Sequence, residues 1–232
     1  SVVALHRQYR AAGLDPEKPP LTLAELDDCN TRLTKRDASG RIVQMGFHPG
    51  EPGWWNYGWG NWFGGPHVSP DGLTLLLDSK EWLAAYTWLN TLARAYGRSE
   101  MRVFKGGLGT FDSPQNAFIS GKVAIVLQGV WMANYIRMYN QSLRWGVAPF
   151  PGPGASPGNP VSLAQADVLV IPRGCKHPEE AWKFVRYVNS IGPDEPGAPL
   201  EGMEILCFEQ GKHSPFKQRT ARFVNEHRHE KL

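Results

Sequence analysis

No stretch of about 18 consecutive apolar residues occurs in the 232-residue chain, so no segment has the length and apolarity of a membrane-spanning helix. The opening run Ser1-Val2-Val3-Ala4-Leu5-His6-Arg7 is too short in apolar length for a secretory signal. Cysteine is scarce: Cys29, Cys175 and Cys207 form no Cys-x-x-Cys pair and no metal-ligand spacing. That excludes a disulfide scaffold and leaves room for one bridge at most. Charge of one sign is scarce too. Lys and Arg number 25 against 22 Asp and Glu, a net +3 without a clustered basic face, which argues against nucleic acid as a partner. There is no internal repeat.

What the chain has in quantity is aromatic, glycine and proline content, with nine Trp, 25 Gly and 19 Pro. Residues 48–72 read as one long Gly/Pro/aromatic loop. Within it lies Trp54-Trp55-Asn56-Tyr57-Gly58-Trp59-Gly60-Asn61-Trp62-Phe63. Loops of that length inside a folded domain are functional or disordered, and one so rich in tryptophan has too much apolar surface to stay disordered.

Around the loop the pattern alternates strand and helix, which predicts an α/β fold. Thr22 with Glu25 has capping-box form and opens a helix over 22–33. A strand is expected at 42–47. Ser79 caps a helix whose Trp82, Ala85, Tyr86, Leu89, Leu92, Ala93 and Tyr96 recur at helical spacing and which Gly97 ends; Trp88 falls off that stripe. A short helix is expected at 114–120, a buried strand at 123–127, a helix at 129–139 and strands at 145–150 and 167–171. A helix over 178–189 carries proline at its first position and Glu179-Glu180 in its first turn, with Trp182 packing along it. A weak helix is expected near 216–224.

Four strings, in this order, resemble one family. Residues 9–16, Tyr-Arg-Ala-Ala-Gly-Leu-Asp-Pro, run through Pro19-Pro20 into the Thr22 helix. Thr34-Lys35-Arg36-Asp37 follows, with Gly40-Arg41-Ile42. Phe118-Ile119-Ser120-Gly121-Lys122-Val123-Ala124 precedes Gly129-Val130-Trp131. Val168-Leu169-Val170-Ile171-Pro172 precedes Lys176-His177-Pro178-Glu179-Glu180-Ala181-Trp182. Together they are similar to the extracellular solute-binding proteins that include maltose-binding protein.

The resemblance implies a two-lobe periplasmic-binding-protein-like fold (type II), here incomplete. Residues 1–160 would supply most of the C-terminal lobe. Residues 161–232 would supply the hinge recrossing and part of the N-terminal lobe, with most of that lobe and the C-terminal end of the family absent. It further implies a periplasmic or extracytoplasmic, non-catalytic and monomeric receptor without cofactor or metal, lipid-anchored in some full-length forms. Its partners would be a carbohydrate ligand and the membrane permease subunits of an ABC importer.

Sugar rings offer a C–H face to aromatic planes and hydroxyls to planar polar groups, so Trp with Asn or Gln suits such a ligand. The resemblance assigns Trp131, the Trp of its Gly-x-Trp motif, as the main stacking residue, with Trp54 or Trp55 next. Two adjacent Trp on extended backbone cannot face one way, so one of that pair is expected to pack inward. Trp59 is balanced between cleft and core, and Asn56 and Gln128 are candidate hydroxyl partners. Where relatives commonly have a Gly pair, this chain has Gln165-Ala166. Either Ala166 changes hinge freedom or Gln165 adds a hydroxyl-bonding side chain.

The same loop also suits a carbohydrate-active enzyme or a lectin-like domain. Glu51 and Asp71 are then the candidate acid pair, which would have to stand ~5–10 Å apart across the bond. His48 and His67 have no carboxylate or Cys at ligand spacing and predict no metal site.

Overall fold

The computed structural model describes residues 2–155, 160–164, 168–188 and 207. Its strands are β1 (Val2–Leu5), β2 (Lys35–Arg36), β3 (Ile42–Phe47), β4 (Val123–Leu127) and β5 (Trp145–Ala148). Its helices are α1 (His6–Ala11), α2 (Leu23–Leu33), α3 (Trp59–Trp62), α4 (Lys80–Tyr96), α5 (Arg98–Gly106), α6 (Met132–Tyr139) and α7 (Pro178–Val188). The chain divides into two units. The first comprises residues 1–129 and 135–163. The second comprises 130–134 and 164–232, so the division falls inside α6.

All five strands belong to the first unit and form one mixed sheet in the order β2-β3-β4-β1-β5. β4 has no polar side chain and is buried at each of its five positions, as a strand covered on both faces must be. β3 runs parallel to it, pairing Met45 with Val123 and Phe47 with Ile125. β1 runs antiparallel to β4 on one side and to β5 on the other. Between the parallel strands the chain passes through α4 and α5, the long crossover that parallel pairing requires.

α2 begins where the capping box puts it. Thr22 Oγ1 accepts the Glu25 N–H at 3.2 Å, and Glu25 reaches back to the Leu21 N–H at 2.6 Å. The helix lies so close to β3 that a Cβ on Gly46 would stand 2.5 Å from Asn30 Cα. Asn30 uses this proximity: its Oδ1 accepts the Phe47 N–H at 2.7 Å. α4 runs from Ser79, which sits at the N-cap position without a side-chain capping bond, to Gly97, burying Trp82, Ala85 and Leu92 while Tyr86 of the expected stripe is exposed. Trp88, off the stripe, is half-buried and donates its indole N–H to Asp27. Against this frame the core is aromatic: Phe47, Trp59, Trp62 and Phe150 are all at or below 3% exposure. Their rings meet edge-on or tilted, Trp59 and Phe150 at 5.7 Å and Trp62 and Phe150 at 5.6 Å.

Several local expectations are corrected. Residues 48–72 are not one loop, since a 3-10 turn over Trp54–Gly58 runs directly into α3. Residues 114–120 form turns rather than a helix, because Asn116 competes with helical pairing. Its Oδ1 accepts the N–H groups of Phe118 and Ile119, and its Nδ2 donates to the Phe111 carbonyl at 2.7 Å. The helix expected from 129 begins at Met132, and the strand expected to run to 150 stops at Ala148. β1, α1 and α5 are additional elements.

In the second unit α7 spans Pro178–Val188 as predicted. Of the strand expected over 167–171, residue 167 lies outside the described residues and 168–171 take no regular secondary structure, with Val168 and Val170 more than 70% exposed. Trp182, expected to pack along α7, is 47% exposed. The helix expected near 216–224 lies outside the described residues. Cys29, Cys175 and Cys207 form no disulfide among the described residues.

Candidate functional site

The aromatic segment is launched by a tightly bonded turn. His48, buried at the end of β3, accepts the Gly50 N–H on Nδ1 at 3.0 Å and approaches the Met101 carbonyl through Nε2 at 3.4 Å. That pattern calls for the neutral ring with its proton on Nε2. Burial, with the Lys105 ammonium second, lowers its pKa to about 4. Glu51 is also buried, and Lys105 Nζ stands 3.3 Å from its Oε2. Burial raises the Glu51 pKa while Lys105 opposes the rise. Lys105 Nζ also donates to the Gly50 carbonyl and, at 3.1 Å, to the Pro52 carbonyl.

The next two residues diverge. Trp55 turns inward at 7% exposure and donates its indole N–H to the Leu127 carbonyl at 2.9 Å. Trp54 turns outward and meets Phe111 edge to face, centroids 4.6 Å apart. Phe111 in turn contacts Tyr135 at 5.8 Å, and Tyr135 stacks on Tyr139 with planes 10° apart. Trp54, Phe111, Tyr135 and Tyr139 thus form a ribbon of partly exposed rings on the first unit. Tyr139 is anchored by its hydroxyl on the Asp112 carbonyl at 2.8 Å. Burial, with Asp112 and Tyr139 nearby, raises the Tyr135 pKa and keeps its phenol neutral.

The sequence-predicted residues separate accordingly. Asn56 is exposed beside Trp54, with its backbone carbonyl accepting the Tyr86 hydroxyl at 2.6 Å. Trp59, balanced between cleft and core in the sequence, is 1% exposed with its ring packed between Phe47 and Phe150. Gln128, next to β4, is 3% exposed and presents little of its amide. Trp131 is half-buried in the second unit, where its carbonyl accepts the Asn134 N–H at 3.1 Å. Gln165 lies outside the described residues. Phe111, Tyr135 and Tyr139 were not anticipated. The Phe111 and Tyr135 side chains come from a turn and a helix far apart in sequence, and no periodicity links them.

Glu51 and Asp71 have separate structural engagements. Glu51 is buried against Lys105, whereas Asp71 accepts from the Ser69 hydroxyl and the Leu73 N–H in an exposed turn. Those bonds hold the Asp71 pKa below the usual carboxylate range. Among the described residues no three His, Cys, Asp or Glu side chains gather to hold a metal ion, and no helix is long and apolar enough to cross a membrane.

The profile of the bacterial extracellular solute-binding proteins matches residues 4–193. The chain belongs to that family. Among solved structures of similar fold is CpMnBP1 with mannobiose bound, 26% identical, with TM-score 0.74 over 99% of this chain and 55% of that one. An ABC transporter solute-binding protein from Thermotoga lettingae TMO, bound with alpha-D-tagatose, is 21% identical at TM-score 0.66, covering 99% of this chain and 55% of that one. MalX from Streptococcus pneumoniae in complex with maltopentaose is 16% identical at TM-score 0.64, covering 98% and 55%. At these last identities the likeness is one of fold. No curated protein matches the chain. The fold is therefore the mixed α/β fold of the two-lobe solute-binding proteins, and the chain spans about 55% of the length of these solved structures.

Proposed function

We propose that this chain is the ligand-recognising portion of an extracytoplasmic receptor that binds a neutral oligosaccharide and delivers it to the permease subunits of an ABC importer. The observation that carries the reading is the ribbon of Trp54, Phe111 and Tyr135 in a solute-binding fold. Apolar ring faces bordered by polar groups suit the C–H faces and hydroxyls of linked pyranoses. Mannobiose is the ligand of a relative 26% identical to this chain, which makes a β- or α-linked disaccharide the first class to try.

The receptor breaks no bond. Its ligand favours one conformational state by binding it more tightly, and the permease reads that state. The non-catalytic reading rests on the family, with Glu51 engaged by Lys105 and Asp71 by Ser69. Trp54 is the proposed stacking platform on the first unit, with Asn56 as its hydroxyl partner. Trp131 and Gln165 are further proposed ligand contacts. The receptor acts as a monomer outside the cytoplasm, with or without a lipid anchor.

Titration calorimetry with mannobiose, mannotriose and maltopentaose tests the proposal. Saturable binding to one of them, weakened about tenfold by Trp54→Ala or Trp131→Ala in a folded protein, is the expected result. A folded chain, and a full-length gene product, that bind none of a broad panel of neutral sugars would overturn it.

A further inference from the structure

The approach to Trp54 is built around one cation. A lysine ammonium carries three N–H donors, and three acceptors meet that of Lys105: the Gly50 carbonyl, the Glu51 carboxylate and the Pro52 carbonyl. They come from three consecutive residues, so the backbone is wrapped around the charge. Gly53 closes the wrap at φ 111°, a conformation L side chains rarely adopt. A Cβ there would stand 3.2 Å from Lys105 Nζ and 3.0 Å from the Gly50 carbonyl oxygen. The next residue is Trp54.

The cation is delivered from α5, far along the chain. Glu100 of α5 accepts the Ile42 N–H at 2.9 Å at the start of β3 and pairs with Arg36. α5 also packs Met101 and Phe104 against Ile42 and Met45. The position of Lys105 is therefore set by the sheet, and the turn at residues 50–53 is set by Lys105. An exposed ion pair would contribute little. Here the Glu51 side chain is only 5% exposed, and two of the three bonds fix backbone carbonyls.

We propose that Lys105 is a positioning residue for ligand recognition: by gathering the acceptors of residues 50–53 it sets the plane in which Trp54 presents its indole. The proposal rests on the carbohydrate reading of Trp54. Without the ammonium, three acceptors lose their common donor, the turn samples other conformations, and ordering it becomes part of the cost of binding.

The test uses the full chain labelled with 5-fluorotryptophan, whose Trp54 resonance in a fluorine NMR spectrum is identified by its loss in Trp54→Phe. In Lys105→Met the Trp54 resonance is expected to shift or broaden without ligand, while those of Trp82 and Trp88 stay in place. The dissociation constant for mannobiose is expected to rise about tenfold. Gly53→Ala is expected to give the same signature while leaving the lysine intact, and it decides the matter if Lys105→Met does not fold. An unchanged Trp54 resonance in the folded variants would overturn the proposal. A displaced resonance in a protein that binds no sugar would support the positioning and count against the carbohydrate reading instead.

Discussion

Trp55 donates its indole N–H to the carbonyl of Leu127, the last residue of the buried strand β4, across 2.9 Å. The bond ties the aromatic segment to the centre of the sheet and decides which of two adjacent tryptophans turns inward. Trp55→Phe keeps a ring but removes the donor, leaving a buried carbonyl without it. The expected loss is about 1–2 kcal/mol, read as a lower urea midpoint with an unchanged slope.

Trp54 and Trp59 are expected to separate binding from stability. Trp54→Ala removes a partly exposed ring, and should weaken sugar binding about tenfold with little change in the urea midpoint. Trp59→Leu does the reverse. It opens a gap among Phe47, Trp62 and Phe150 and should cost about 3 kcal/mol while the folded protein keeps its affinity.

His48 gives stability a pH dependence of defined sign. Its pKa in the folded protein is about 4, against an ordinary value of about 6.5 when unfolded. Between those values the unfolded chain binds the additional proton. The stabilisation is therefore complete above about pH 6.5, falls as pH drops towards about 4, and amounts to about 3 kcal/mol over the window. Urea titrations at several pH values should show this slope in the wild type and a shallower one in His48→Gln.

Gly46→Ala tests the closeness of α2 to β3. The added Cβ would meet the Asn30 backbone rather than a side chain able to swing away. A loss of about 2–4 kcal/mol is expected, with weakened amide-exchange protection at Phe47, whose N–H is held by Asn30. A midpoint equal to that of the wild type would show that helix and strand can separate freely.

The sequence was most legible where the information is local. The stripe through Trp82, Ala85 and Leu92 marked α4, Thr22 and Glu25 marked the start of α2, and the unbroken apolar run 123–127 marked β4. It was least legible where partners are distant. Val2–Leu5 is a strand because β4 and β5 flank it, which four apolar residues do not announce. At 114–120 a helical pattern lost to the side chain of Asn116. In the site, composition pointed to the Trp54–Trp55 segment, and the adjacency argument required the pair to diverge. The divergence comes from a 3-10 turn rather than from strand alternation. Phe111 and Tyr135 join Trp54 only in three dimensions, and the Lys105 bonds to residues 50–52 have no signature in the chain.

The sheet order β2-β3-β4-β1-β5 also has a consequence in time. β1 is the first strand in chain order, yet both its partners, at 123–127 and 145–148, follow more than a hundred residues later. On a ribosome making about 5–20 residues per second, β1 waits several seconds or more for its neighbours. Loop-closure entropy over such separations slows the final pairing further. The sheet is therefore closed only after β4 and β5 have been made, and β1 is the strand that waits longest for its neighbours.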